Sequence, residues 1–245
     1  MADTKTSGLG GNTAPATTDL LALLHDPSGT PELQKLALSY LLAMAVTNVV
    51  VQVISAGTTT YTPTTGMKKV LAILVGPGGN GAAVTGVDSY GGGGGGGGTC
   101  IRLCTAAEIG ANSACVVGTP GTATTLADVS MSAGFGGNGT ASADSTTLGT
   151  LGAGGAGGTS SGGDLNITGQ AGFRGIVHST SAGLSGAGGN SMFGGGAAQS
   201  QTEAAGTAGG AYGGGGSGGG SSGGTDRAGG SGANGIMYMI EFLQV

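Results

Sequence analysis

Of the 60 glycines in this 245-residue chain, six lie before residue 75 and the other 54 fall in the 171 residues that follow. Ordering a glycine costs roughly 1–2 kcal/mol of backbone entropy, and the residue brings no side chain to bury in return. A region about one-third glycine is therefore a linker, or it is held by something other than a hydrophobic core. Bare backbones can supply that something. Extended left-handed threefold helices, laid side by side, approach closely enough for N–H···O and Cα–H···O bonds between them. Collagen is the familiar case, but its G-X-Y period is absent here and prolines total six.

Glycine tracts recur at 76–81, 91–98, 134–139, 152–158, 186–196, 206–220 and 229–235. The inserts between them differ in character, as in DVSMSA at 128–133 and DLNIT at 164–168. Such polar–apolar alternation marks short half-buried strands, which a plain spacer has no need of. The region is also bracketed. KKVLAILV at 68–75 leads into it and IMYMIEFL at 236–243 closes it. Both are apolar, β-branched runs that water would not tolerate alone, and each is the natural mate of the other. The expectation is that Val70–Val75 and Ile236–Leu243 share a sheet, that Ile240 lies in the core, and that the glycine region is ordered between them.

Two parts follow from the pattern: an N-terminal attachment or oligomerisation segment, 1–48, and a glycine-rich β domain, 49–245. Within the first, 1–18 is small, polar and interrupted, and reads as an extended arm. Leu20–Leu24 and Leu36–Leu42 then flank Asp26-Pro27-Ser28-Gly29, a strong turn signal. A hairpin or a strand-turn-helix results. Thr30-Pro31-Glu32 resembles a helix start, with Leu33, Leu36, Tyr40, Leu41 and Met44 at helical spacing, so the second arm is predicted as a helix. That stripe has no obvious partner in its own chain, and association of three copies around an axis would bury it. The fold class is accordingly mainly β with polyglycine II-like segments, preceded by a small hairpin or helical anchor.

Charge and chemistry narrow the function. Net charge is −5, and the seven Lys and Arg do not cluster beyond Lys68-Lys69, which argues against nucleic acid as a partner. No apolar run reaches membrane-spanning length, and the start lacks the pattern of a secretory signal. Cys100, Cys104 and Cys115 fit no C-x-x-C pattern and have only His25 and His178 as further soft ligands, so no metal or cofactor is expected. They read as buried or partly exposed thiols, with a Cys104–Cys115 or Cys100–Cys115 bridge as the alternative. The eight glycines at 91–98 satisfy G-x-G-x-x-G trivially and lack the βαβ setting of a dinucleotide site. Asp128, Asp144, Asp164, Glu203 and Asp226 stand isolated among small residues, with no tryptophan to stack on a sugar as glycosidases do. Neither histidine accompanies a Gly-x-Ser-x-Gly elbow. No catalytic residues are expected, and the chain reads as a non-enzyme.

TTTYTPTTGMKKVLAILVGPGGNG, the glycine tracts after it and the closing GGSGANGIMYMIEF together resemble the glycine-rich C-terminal domains of tail fibres and receptor-binding adhesins of tailed bacteriophages. LLHDPSGTPELQKLALSYLLA is similar to short segments near the start of many phage fibre proteins. The resemblance implies a structural protein on the virion surface, made in the host cytoplasm. It would bind a bacterial receptor, polysaccharide or outer-membrane protein, through loops between the tracts. Other virion proteins would be joined through residues 1–45, and a homotrimer is implied by the fibre habit. An architectural head fibre or decoration protein, and a non-viral glycine-rich surface or ice-binding protein, are the alternatives. Residues the glycine body does not need are the candidate contacts: Arg102, Arg174, His178, Phe193 and Tyr212. Arginine and aromatics are efficient anchors because they offer large contact area and directional bonds at small entropy cost. For Phe193 and Tyr212, each beside glycine, covering bare backbone is an equal alternative.

Overall fold

The closing strand Ile236–Leu243 is antiparallel to Met67–Val75 on one side and to Asn48–Ile54 on the other. This holds the two ends of the glycine region together, as the bracketing runs predict. The structure is a computed structural model and describes residues 20–25, 32–37, 48–142, 151–179, 182–200 and 203–244. It is mainly β, and its sheets are antiparallel.

Two five-stranded sheets form the base. The first runs Leu165–Ile167, Thr99–Thr105, Met67–Val75, Ile236–Leu243, Asn48–Ile54; the second runs Ser160–Ser161, Met131–Ala133, Thr124–Leu126, Ser113–Val116, Thr60–Tyr61. Alternation sends Val70, Ala72, Leu74, Cys100, Cys104, Met237 and Met239 inward from the first sheet. Tyr61, Cys115, Leu126, Met131 and Ala133 meet them from the second. Glu241 also points inward and is fully buried. Its Oε1 accepts from the Tyr61 hydroxyl, from Gln52 Nε2 at 3.0 Å and from the Thr64 amide at 3.1 Å, so the carboxylate is paired rather than stranded. Burial, then the bond to Glu241, pushes the Tyr61 phenol far above its usual range.

Ile240 does not lie in the core. The strand's alternation puts Met237, Met239 and Glu241 inside, and Tyr238, Ile240 and Phe242 on the outer face. Register aligns that outer face into apolar rows: Leu165, Ile101, Ile73, Tyr238, Val53, and next to it Leu103, Leu71, Ile240, Val51. Val49, Val51, Val53, Leu103 and Leu165 are each about half exposed.

Of the two expectations for the N-terminal arms, the hairpin matches the described residues and the helix does not. Leu20–His25 and Glu32–Ala37 form an antiparallel hairpin, Leu20 opposite Ala37 and His25 opposite Glu32. The second arm is thus strand over these residues, where pairing with its neighbour overrides local helix preference. Tyr40, Leu41 and Met44 of the predicted stripe lie outside the described residues.

Among the described residues the glycine region makes ten passes of alternating direction beside one another. Tract 91–98 is their axis. Its amides donate in a cycle of three: Gly92, Gly95 and Gly98 to the carbonyls of Thr140, Gly137 and Gly134; Gly93 and Gly96 to Phe173 and Gln170; Gly91, Gly94 and Gly97 to Gly219, Gly216 and Gly213, all at 2.8–3.0 Å. Its carbonyls accept in the same cycle. Gly155 and Gly158 bond to Gly93 and Gly96, Gly186 and Gly189 to Gly91 and Gly94, and Ala82, Gly79 and Gly76 to Gly92, Gly95 and Gly98. One tract is therefore ringed by six others. No Cβ fits: one on Gly95 would overlap the carbonyl oxygen of Ala156, and one on Gly97 that of Gly76.

Gly95→Ala is expected to destabilise by about 3 kcal/mol or more, since the obstacle is backbone that cannot move aside. Gly195, whose added Cβ would meet only Asn190 Oδ1 at 3.9 Å, is the control: Gly195→Ala should stay within about 0.5 kcal/mol of the parent in urea unfolding. Met239→Asp, with an unpaired charge in the sandwich, should abolish the cooperative transition, while Ile240→Asp should leave it in place. Equal losses for the last pair would contradict the assigned register.

Candidate functional site: the distal loops

The ten passes sort the molecule into two ends. Tracts 76–82, 134–140, 169–173, 195–200 and 213–219 lead away from the sandwich, and 91–98, 152–158, 185–190, 204–210 and 227–235 return. Among the described residues the far end therefore carries 83–90, 141–142, 151, 174–179, 182–184, 203 and 220–226. Small pairings tie them together: Gly220–Ser221 with Ser89–Tyr90, Leu151–Gly152 with Gly175–Ser179, and Gly175–Ser179 with Ala182–Leu184.

The five sequence-selected residues separate accordingly. Arg174 and His178 are at the far end, both exposed, Arg174 just before the strand Gly175–Ser179 and His178 within it. Arg102, Phe193 and Tyr212 belong to the base. Arg102 sits in the strand Thr99–Thr105, not in a loop. Its guanidinium pairs with Glu108 at 2.8 Å and donates to the Val129 carbonyl at 3.0 Å. Glu108 in turn closes a capping box with Thr105 on the helix Ala106–Ile109, and Thr105's backbone amide is the first cause of its lowered pKa. Arg102 thus ties that helix to its strand. Phe193 stacks on Tyr238 with ring centroids 5.8 Å apart, and Tyr212 is half-buried in a turn whose carbonyl accepts from Ser191 Oγ. Phe193, 41% exposed, therefore lies against the closing strand, and Tyr212 lies in a turn between tracts at the same end.

Around Arg174 there is a cleft of about 410 Å³ lined by Gly172, Phe173, Arg174, Ile176, Leu184 and Gln199. Phe173 is 54% exposed although its backbone is locked to Ala187 and Gly93. Ile176 and Leu184 face each other across the strand pair and form the apolar floor. Of the three arginines, Arg102 and Arg227 have carboxylate partners, Glu108 and Glu203, and Arg174 has none among the described residues. Of the lining residues only Arg174 is a candidate contact from the sequence; Leu184, on the strand Ala182–Leu184, gives no signal there.

A second far-end group is internal. Asp88, at φ 52°, is 2% exposed and its Oδ1 has no hydrogen bond, while Glu203 meets Arg227 only loosely at 3.6 Å. Burial first, then the charge of Asp88, raises the Tyr90 phenol. With Ser221 Oγ donating to Gly86 at 2.9 Å, this group fastens 83–90 to 220–227.

Reactive side chains elsewhere build no site. All three cysteines are buried and unbridged, and no cluster of metal-ligating residues occurs among the described residues. Burial raises every thiol, Cys104 to about 11. No protein-family model matches the chain, and no curated protein matches it in sequence.

The raised thiols have a consequence for stability. A group with a higher pKa folded than unfolded contributes fully below its unfolded value, and the contribution fades as pH rises through the folded one. Tm should therefore fall as pH passes from about 9 towards about 11, and Cys104→Ser should flatten part of that slope. Ellman's reagent should titrate no thiol in the native protein and three after denaturation.

Proposed function

We propose that this chain is a receptor-binding fibre or spike protein of a bacteriophage-like particle, non-enzymatic, with its far-end loops presented to the bacterial surface. The observation that carries the reading is the three-residue hydrogen-bond cycle around 91–98, which bundles the glycine tracts side by side so that the segments joining them emerge at one end. A three-residue repeat is the period of a polyproline-II-type helix, so the tracts are read as polyglycine II. At about 3.1 Å per residue, eight residues hold the loops roughly 25 Å from the sandwich.

The base supplies assembly. Half-exposed Val49, Val51, Val53, Leu103 and Leu165 sit on one outer face of the first sheet, and a contiguous exposed apolar face marks an interaction surface. That supports a homotrimer, with residues 1–45 joining it to other virion proteins, and three tips would turn weak single-site affinity into avidity.

Fluorescently labelled full-length protein should stain some strains of a bacterial panel, and exchange of 83–90, 174–184 and 220–226 for the loops of a related protein should change which strains stain. Unchanged staining after exchange, with weakened particles, would favour an architectural role. Sedimentation at micromolar concentration should give a trimer; a monomer would remove the assembly part of the reading.

A further inference from the structure

We propose that the cleft formed by Phe173, Arg174, Ile176, Leu184 and Gln199 binds an anionic sugar residue of a bacterial surface polysaccharide. The proposal rests on the receptor-binding reading and names the ligand class of its far end.

Arg174 is the starting point. In a chain with 8% charged residues, each arginine is a specific commitment. Arg102 and Arg227 are accounted for by the ion pairs they make inside the fold. Arg174 is exposed, borders the cleft and makes no ion pair or hydrogen bond within the described residues. A guanidinium carries five donors in a planar fork that matches a carboxylate or a phosphate. The fold leaves that fork open towards the cleft lining, so an anion is the group that completes it.

The rest of the lining says what carries the anion. A pyranose has an apolar C–H face and a rim of hydroxyls. Phe173, 54% exposed and fixed at its backbone, offers a rigid ring for the apolar face, with Ile176 and Leu184 beneath. The amide of Gln199 both donates and accepts, as neighbouring hydroxyls require. A volume of about 410 Å³ lies within the range of small-ligand sites. A protein partner would instead call for roughly 800 Å² of contact on each side. His178 is exposed on the same strand but does not line the cleft, so the recognition charge is Arg174 alone.

Net charge −5 repels anions at long range. Binding is therefore a short-range event at one cation, which predicts weak single-site affinity.

The test uses full-length protein on an array of bacterial polysaccharides that bear uronic acids, phosphorylated sugars or neutral sugars only, and on the strains it stains. Retention on anionic glycans is expected, with at least a tenfold loss for Arg174→Gln and for Phe173→Ala at unchanged Tm, and partial recovery for Arg174→Lys. Carboxyl reduction of the uronate glycans, or phosphatase treatment of the phosphorylated ones, identifies which acid is read. Staining of cells should resist protease and be lost after periodate. Binding to neutral glycans alone, an Arg174→Gln variant that binds like the parent, or staining abolished by protease but not periodate would each overturn the proposal while leaving the receptor-binding reading intact. Absence of staining on every strain would remove that reading itself.

Discussion

Everything beyond the sandwich depends on backbone-to-backbone hydrogen bonds made at a distance only glycine permits. Each amide of 91–98 donates at 2.8–3.0 Å to a carbonyl of one of three accepting neighbours, and three more neighbours donate in return. A hydrophobic core excludes water with side chains; here the excluded volume is main chain, and the tract is fully buried without a single Cβ. The entropy lost by so many glycines is large. It is offset by hydrogen bonds and Cα–H···O contacts that are individually modest and collectively saturating, since every buried N–H of the axis has a partner.

Such a body cannot start itself, because two isolated glycine strands have too little to gain from meeting. The sandwich solves this by holding termini. Strand pairing between Met67–Val75 and Ile236–Leu243 fixes where the first and last tracts leave and return, and Thr99–Thr105 does so for the axis. Glu241 fits the same logic. Accepting from Tyr61, Gln52 and Thr64, it fastens the 55–66 connection to the closing strand at the end of the sheet opposite the glycine body. In register it stands between Val70 and Val50 of the two adjacent strands.

Much of this was legible in the sequence for simple reasons. Composition located the glycine body, and the two apolar runs that bracket it announced their pairing because neither could remain in water. Which face of Ile236–Leu243 turns inward was not legible: MYMIEF has large apolar residues at both parities, and the usual clue, a charge marking the solvent side, is inverted because Glu241 is the buried residue. The helical stripe of the N-terminal arm failed for a related reason, since Leu33 and Leu36 fit a strand as readily once Leu20–His25 is beside them. Of the candidate contacts, Arg174 and His178 reached the far end, while Arg102, Phe193 and Tyr212 did not. Sequence distance from a glycine tract says that a residue is in a connection but not at which end, and that depends on whether the preceding tract leads away from the sandwich or back to it.

The threefold period also decides where such a protein can change. One residue added within 91–98 would turn every following amide by about 120° and point it at a different neighbour, so the bonds beyond the insertion would fail together. Three residues added would restore direction but slide the tract by roughly 9 Å, past the carbonyls of Thr140, Phe173 and Gly219 that end its partners. Neither change is local. At the far end the constraint is looser: Phe173 makes its last bond to the axis and Gly186 resumes it, so the residues between them take no part in the register of the axis. Locked glycine and unlocked connection are thus two sides of one constraint, and the cleft beside Arg174 straddles them: Gly172 and Phe173 are held by backbone hydrogen bonds, and Arg174 is the first residue beyond the last bond to the axis.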